Sequence, residues 1–354
     1  MKILIFSVLV LASMSAVAQN ERADSEFCKY TNEQAMAQRD QLRTPQAVIG
    51  PIQPSTGTPP QFVIGLSNSL SDDKKALLTM KVAQQTCALY VATSEAQMHL
   101  LYAIPSIEKE ILANRLRLID DATSQLNQLI AENSKLLDSH NLTVTAVYML
   151  SSAKVRLDES RTTALTGIAS PYVPKLSETP IRELVPDKLA HDRETMKAMT
   201  NLNRQSTWDI QLSVGAHRRL PSNISDVGTN AWGAYGAFNL NYNLGRHAVA
   251  SHLEKSVDAY VAWRKSQFDD VAMQAVVLKR QMEDTVTAQK PQLEAMLQHD
   301  ADITQQLKAL EGLDTNNAIA FRNQLLADQI MLRVNIQDEQ FCITRFEQFI
   351  AANF

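Results

Sequence analysis

Two segments in the second half of the chain alternate between apolar and polar residues. Residues 208–215 read WDIQLSVG, and residues 234–244 read AYGAFNLNYNL. A period of two predicts β-strands with one apolar and one polar face, so the two segments predict a β-hairpin. The apolar positions of this hairpin are Trp208, Ile210, Leu212, Val214, Phe238, Leu240, Tyr242 and Leu244.

A strand with an apolar outer face and a polar inner face is typical of membrane barrels, and about 9–11 residues cross a bilayer. A lone hairpin is marginal in water and cannot sit in lipid with unpaired edges, so these strands require partners. In a barrel, the aromatic residues around the hairpin would lie at the lipid–water boundary. Ordinary strand packing is the alternative for these residues, which are Trp208, Trp232, Tyr235 and Tyr242.

The rest of the chain is dominated by helical periodicity. Apolar residues recur at helical spacing over two stretches of about 65 residues, 72–137 and 246–311, and each would be roughly 100 Å long. Such helices must pack lengthwise against other helices. Pro105 and Pro291 are expected to kink or interrupt them. The apolar face of the second stretch contains Val249, Leu253, Val257, Tyr260 and Val261, and then Val271, Ala275, Leu278, Met282 and Val286.

The two halves of the chain are related by an offset of about 173 residues, which indicates a duplicated unit. Residues 66–70 (LSNSL) match 240–244 (LNYNL), and Lys135 and Leu137 match Lys308 and Leu310. Each unit has a short helix (24–42 or 188–204), strand-like sequence, a long helix, a polar tip and a returning helix (144–167 or 316–350). The predicted organisation is therefore a first repeat over 19–169, a linker over 170–187 with four prolines, and a second repeat over 188–354.

The amino terminus predicts export. Lys2, an apolar run and Ala16-Val17-Ala18 are typical of a secretory signal peptide over residues 1–18. A retained anchor helix is the alternative, but the apolar run is short for a membrane span. Without Lys2 the chain has 33 basic and 38 acidic residues. There is no basic run with interleaved aromatic residues, which argues against nucleic acid as a partner.

The sequence offers no candidate catalytic or cofactor site. It has no Gly-rich phosphate loop, nucleophile elbow or metal-spaced His and Cys group, so we expect neither an enzyme nor a bound cofactor or metal. The acidic pairs at 120–121 and 269–270 are interpreted as solvated helix faces. The run HRR at 217–219 is expected in the loop between the strands. It is interpreted either as plain surface or as a contact for lipopolysaccharide phosphates.

The order of elements in the two repeats resembles the TolC-like outer-membrane efflux proteins. The resemblance lies mainly in the paired strands, in FNLNYNLG leading into a helix, and in the GLDT tip at 312–315. It implies a mainly α fold with a small β component. Two tandem repeats of long helical hairpins would form an α-barrel, and the β-hairpins would contribute to an oligomeric β-barrel.

The resemblance also implies a function. The chain would be a homotrimeric outer-membrane conduit with a periplasmic extension, which passes cargo outward and contacts outer-membrane lipid, a periplasmic adaptor and an inner-membrane transporter. In the family the tip is where the channel narrows and meets its adaptor. The tip residues have a second interpretation as plain helix-turn chemistry, with Thr143 and Thr315 as N-caps. The candidate gating and adaptor-contact residues are Asn141, Thr143, Gly312, Asp314 and Thr315.

The first strand pair departs from the family pattern. The segments PQAVIG and QFVIGLSNSL are crowded by prolines, which cannot donate to a β ladder, so one hairpin is expected to be stunted or absent. The alternative function is therefore a periplasmic coiled-coil scaffold or adaptor-like protein without a complete membrane barrel.

Cysteine positions predict one disulfide. Cys28 lies about 17 residues before the first strand region, and Cys87 lies about 17 residues after it, so both fall roughly 25 Å below the strands on adjacent helices. Cys342 lies far lower, near the level of Ala288. We expect a Cys28–Cys87 bond and a free Cys342 in an oxidising compartment. Three unpaired cysteines are the alternative.

Overall fold

The structure is a computed structural model of the chain. It describes residues 16–52, 61–138, 144–169, 173–174, 176–205, 208–219, 232–242, 246–267, 270–313 and 315–354. Residues 1–15, which contain most of the predicted signal peptide, lie outside this set. The elements in chain order are α1 Ala16–Arg43, β1 Gln46–Ile52, β2 Gln61–Ser69, α2 Leu70–Asp138, α3 Val144–Ala169, α4 Ile181–Gln205, β3 Trp208–Arg219, β4 Trp232–Tyr242, α5 Arg246–Lys265, α6 Val271–Ala309 and α7 Asn316–Asn353.

The fold class is confirmed as mainly helical with a small antiparallel sheet. The predicted apolar face of the second long stretch is buried along α6, at Val271, Ala275, Leu278, Met282 and Val286. On α5 only Val257 of the predicted face is fully buried, while Val249 is exposed. Helical periodicity therefore locates the core of α6 more accurately than that of α5.

Neither interior proline interrupts its helix. The helix α2 continues through Pro105, and α6 continues through Pro291. A proline removes one backbone hydrogen bond, but helices are stabilised largely by the burial of their apolar face. Ala103 and Ile107 on either side of Pro105 are buried, and this packing preserves the helix.

The second long stretch is not one helix, and in this respect the prediction is wrong. It is divided at residues 266–270 into α5 and α6. Before the break, the Ser266 and Gln267 amides donate to carbonyls three residues earlier, which tightens the last turn. Asp270 is 1% exposed and contacts the Lys188 ammonium, so this residue of the acidic pair is not on a solvated helix face, and Asp269 lies outside the described residues. The break places this carboxylate in a buried ion cluster.

The linker is also shorter than predicted. α4 begins at Ile181, seven residues before the predicted start of the short helix, and Pro186 lies inside it. Ile181 and Leu184 are both buried, with the spacing of one helix face. Burial of this apolar turn explains why residues that are rich in proline nonetheless begin the helix.

All four strands form one antiparallel sheet in the order β1-β2-β3-β4. The first hairpin, which the prolines predict to be stunted or absent, is present. Its strands have seven and nine residues, against twelve and eleven in the second hairpin. Pro51 lies in β1, at the edge of the sheet, where a missing backbone donor is tolerated.

The chain divides into two compact units, each of which contains parts of both repeats. Among the described residues, unit 1 comprises those within 16–19, 96–183 and 271–354, and unit 2 comprises those within 20–95 and 184–270. The core of unit 1 is made of large aliphatic side chains from α2, α3 and α7. Its members include Leu118, Ile119, Leu126, Leu150, Leu157 and Val334.

The interior of unit 2 has a different composition. Its buried apolar residues are mostly alanines, with few larger side chains such as Val63 and Val257. Hydroxyl groups and paired charges fill much of the remaining interior. Since burial of alanine contributes little hydrophobic free energy, the stability of unit 2 depends more on polar contacts and on its disulfide.

Candidate functional site

The sheet of unit 2 exposes an apolar face. Strand register places Leu66 opposite Val214, and Leu212 opposite Phe238, so apolar side chains of neighbouring strands lie side by side. Val214 and Phe238 are each 63% exposed. Contiguous apolar surface of this kind marks an interaction site. The other exposed members are Ile49, Ile64, Leu240, Trp232 and Tyr242.

The opposite face is polar and partly buried. Ser67 and Ser213 are 3% and 8% exposed, and their hydroxyl oxygens lie 3.1 Å apart. The Gln211 amide donates to the Ser67 hydroxyl at 2.8 Å. A sheet of a water-soluble protein normally buries its apolar face and exposes the polar one. This sheet reverses that arrangement.

Hydroxyl groups tie the repeats together at the helix end of the sheet. The Ser71 hydroxyl donates to the Asp209 carboxylate at 2.6 Å, and the Ser69 hydroxyl contacts the same oxygen. Ser69 ends β2 and Ser71 lies in the first turn of α2, whereas Asp209 is the second residue of β3. The contact therefore aligns the two hairpins at the point where strand becomes helix.

Aromatic side chains lie at both ends of the apolar face. Trp232 begins β4 and Tyr242 ends it, ten residues apart. That distance is about 33 Å along the strand. With a tilt of about 40°, the band would be about 25 Å tall, the height of the apolar band in membrane barrels.

The strand register also places the other aromatic residues that were predicted at the lipid–water boundary. Tyr235 is three residues from both Trp232 and Phe238, so it lies on the polar face, opposite Gly215. This position favours ordinary strand packing, the alternative interpretation, for Tyr235. Trp208 pairs with Tyr242 in the backbone register. Leu244 lies outside the described residues.

Strand residues of the first hairpin were not among the candidates, although Ile49, Ile64 and Leu66 extend the apolar face. A signal for two of them is present in QFVIGLSNS, where Phe62, Ile64 and Leu66 alternate with smaller or polar residues. The prolines before this segment predict a stunted hairpin, and that signal opposes the alternation.

The tip of the second repeat is built by turn chemistry. Thr315 is the N-cap of α7, and its hydroxyl accepts from the Ala318 amide at 3.3 Å, as predicted. Gly312 has a φ of 80°, a conformation that favours glycine. Leu313 next to it is exposed. Asn141, Thr143 and Asp314 lie outside the described residues.

The structure contains the Cys28–Cys87 disulfide, with the two Cα atoms 4.9 Å apart. Cys342 is the free cysteine and is buried in unit 1. The bond links α1 to α2. The Phe27 and Tyr90 rings stack beside it, with centroids 4.1 Å apart.

A buried ion cluster lies in unit 2 and was missed by sequence analysis. The Lys188 ammonium is 2.7 Å from the Asp192 carboxylate and also contacts Asp270, while the Arg264 guanidinium is 3.5 Å from Asp270. Two cations and two anions balance one another. Lys188 and Asp192 have the spacing of one helical turn, but nothing local connects them to Asp270, 82 residues from Lys188.

Polar pairs also connect the long helices of unit 1. The Asn323 amide donates to the Asn133 side-chain oxygen at 2.7 Å, and both residues are buried. Near the middle of α7, Asp338 lies 3.4 Å from the Arg115 guanidinium. Burial raises the pKa of Asp338 above its ordinary value, and Arg115 opposes this shift only in part.

A groove of about 320 Å³ lies between α4 and α5. Arg193 at its rim pairs with Asp258 at 2.9 Å, and Arg204 pairs with Glu254 at 3.9 Å. These pairs neutralise the groove, which therefore does not define a binding site for a charged ligand.

In the described part of the chain, no helix combines the length and apolar composition needed to cross a membrane. The same residues contain no group of three or more His, Cys, Asp or Glu placed to hold a metal ion.

Comparison with known proteins gives a likeness of fold and not of sequence. No family model and no curated protein matches the chain. The outer membrane protein VceC of Vibrio cholerae is similar over 98% of this chain and 95% of its own, with a TM-score of 0.50 and 14% identity. A membrane protein from Pseudomonas aeruginosa matches over 96% and 93%, with a TM-score of 0.45 and 15% identity. The MtrE outer membrane channel of Neisseria gonorrhoeae matches over 94% and 86%, with a TM-score of 0.38 and 18% identity.

The chain has the fold of the TolC-like outer-membrane channels. Within it the chain is divergent, with 14% identity to VceC and a first hairpin shorter than its second.

Proposed function

We propose that this protein is the outer-membrane conduit of an export or efflux system. It would pass cargo from the periplasm to the exterior and perform no covalent chemistry. The observation that carries the proposal is the reversed sheet, whose apolar face is exposed while its serines are buried. The likeness in fold to the outer membrane protein VceC supports the same function.

The sheet supports a membrane location because its outer face suits lipid. Exposed apolar side chains such as Leu66, Val214 and Phe238 are costly in water and favourable in hydrocarbon. A sheet within a bilayer must also pair every edge, since unpaired backbone groups cost several kcal/mol there. β1 and β4 are edge strands in one chain. Association into a closed homotrimeric barrel would pair them.

The helices support a role in the periplasm. A periplasmic adaptor and an inner-membrane transporter are the proposed partners, in line with the resemblance. The tips around Asn141, Thr143, Gly312, Asp314 and Thr315 are the proposed place of gating and adaptor contact. Leu313 favours such a contact because an apolar side chain is exposed in the turn. Gating would be a two-state rearrangement of the tips that the adaptor biases.

Two measurements on the intact protein test the proposal. The protein should remain with the outer membrane after washing and should be released only by detergent. The extracted trimer should then produce discrete conductance steps in a planar lipid bilayer. Release with the soluble periplasmic fraction, or membrane association with no conductance at any voltage, would argue against a conduit.

A periplasmic scaffold without a complete barrel is the second candidate. The short first hairpin favours it, since nine residues of β2 tilted by about 40° span only about 20 Å. The two candidates differ in the same fractionation: a scaffold would leave with the soluble fraction, and its apolar sheet face would be covered by protein instead of lipid.

A further inference from the structure

We propose that Arg218 binds the phosphate of an anionic lipid headgroup. Arg218 lies at the end of the apolar face where β3 ends and β4 begins. This inference rests on the proposed function, because it requires that the face contacts a membrane. It goes beyond that function by assigning a lipid class and a residue.

The register places Arg218 in a row with two aromatic residues. Phe62 on β2 and Trp232 on β4 are its direct neighbours across the strands. Arg218 and Trp232 are both exposed. The HRR run was expected in a loop, but β3 extends to Arg219, so Arg218 belongs to the sheet.

The charge on this face is restricted to one end. On the described strands, Arg218 is the only charged residue whose position in the strand alternation falls on the apolar face. Asp209 falls on the polar face. The row at the helix end pairs Trp208 with Tyr242 and contains no basic residue. Both ends of the apolar face therefore have aromatic residues, but only the end with Arg218 also has a cation.

The chemistry of the row suits a phosphate diester in a headgroup. Aromatic residues prefer the headgroup level, which would fix the height of Arg218 at the boundary. A guanidinium presents paired donors to phosphate oxygens and is more weakly hydrated than an ammonium. Its aliphatic stem can lie along the apolar surface while the charged end reaches the headgroups. Within the described residues, Arg218 makes no ion pair, so its donors are open to such a ligand.

The neighbouring His217 provides a matched control. It lies on the opposite face, where its Nδ1 is 3.1 Å from the Ala234 carbonyl oxygen. It therefore faces away from the surface that would contact lipid. His217→Gln changes a polar residue at almost the same height, without access to the headgroups.

The test is the association of spin-labelled lipids with the reconstituted full-length protein. Phosphatidylglycerol and phosphatidylcholine carrying the same label are compared by the fraction that is motionally restricted at the protein surface. We expect phosphatidylglycerol to associate about fivefold more tightly per site, the factor for one Arg at an anionic surface. Arg218→Gln should reduce this ratio to about one, and His217→Gln should leave it unchanged.

The remaining outcomes separate the possible failures. A wild-type ratio of one, or a ratio that survives Arg218→Gln, overturns the inference while restricted lipid still supports a membrane-embedded sheet. If neither lipid is restricted, the proposed function itself fails. Inorganic phosphate added at constant ionic strength should not alter the ratio. Loss of the preference in phosphate alone would assign the site to a free anion and overturn the lipid assignment.

Discussion

At the scale of single residues, the sheet depends on two glycines that face each other. Gly65 on β2 and Gly215 on β3 are directly opposed where the two repeats meet. A Cβ at Gly65 would overlap the Val214 carbonyl oxygen, and one at Gly215 would overlap the Ile64 carbonyl oxygen. The strands approach so closely here that only hydrogen fits at either position.

Replacing one of these glycines should separate the two hairpins. We expect Gly215→Ala to lower the unfolding free energy by at least about 1–3 kcal/mol, because the added methyl group collides with backbone. Gly236→Ala is the matched control, since nothing lies within 4 Å of its Cβ position. Thermal unfolding of the detergent-extracted protein measures both. Equal stability of the two variants would contradict the close approach of β2 and β3.

Asp338 should give a pH-dependent contribution to stability. Burial raises the pKa of Asp338 in the folded protein. The protonated carboxyl therefore contributes to the unfolding free energy at pH values below the ordinary pKa of the group, and this contribution is lost as pH rises through the raised pKa. Asp338→Asn removes this titration. The difference in melting temperature between variant and wild type should therefore grow from about pH 4 upward, in favour of the variant. A difference that is constant with pH would show that the Arg115 contact fully offsets burial.

At the scale of elements, sequence predicts what is local and misses what depends on distant partners. The Thr315 cap and the buried face of α6 follow from spacing within one helix. The division between α5 and α6 does not, because it depends on the contact of Asp270 with Lys188. Tyr235 could have been placed correctly from its odd spacing to Phe238. The Asn133–Asn323 pair, 190 residues apart, has no local signal.

The ion cluster should be a main support of the α4–α5 packing. Lys188→Met leaves the buried carboxylates of Asp192 and Asp270 without their shared cation, and we expect a loss of about 3–5 kcal/mol. Arg193→Met on the same helix breaks only an exposed pair, which should cost at most about 1 kcal/mol. Denaturant unfolding compares the two variants, and similar losses would mean that solvent compensates the charges of the cluster.

The disulfide should stabilise the first hairpin most strongly. It joins two cysteines that are 59 residues apart in sequence, and the loop it closes contains β1 and β2. The double change of Cys28 and Cys87 to Ser should cost about 4 kcal/mol by loop entropy. Cys342→Ser is the control, because that thiol is free. Hydrogen exchange of β1 amides measures the effect, and unchanged protection in the double variant would show that the sheet holds β1 without the bond.

At the scale of the whole molecule, the proposed function requires that the apolar face of the sheet lies in lipid. The alternation of the second hairpin predicts that face from sequence, and the exposed rows across four strands agree with it. The contribution of the first hairpin to the same face became visible only with the register of β2 against β3. Sequence alone could not supply that register, because it joins segments from different repeats.

The most direct test compares arginine at two adjacent exposed positions of β4. Phe238 lies on the apolar face near the middle of the band, and Asn239 lies on the polar face. Phe238→Arg should cost up to about 2–4 kcal/mol of insertion free energy, with a smaller cost for Leu240→Arg nearer the boundary. The measurement is the fraction of each variant that is recovered from the outer membrane, the proposed location, as the proposed detergent-extractable trimer. We predict that Phe238→Arg abolishes most of it while Asn239→Arg retains it, whereas equal recovery of both variants would contradict a lipid-facing sheet.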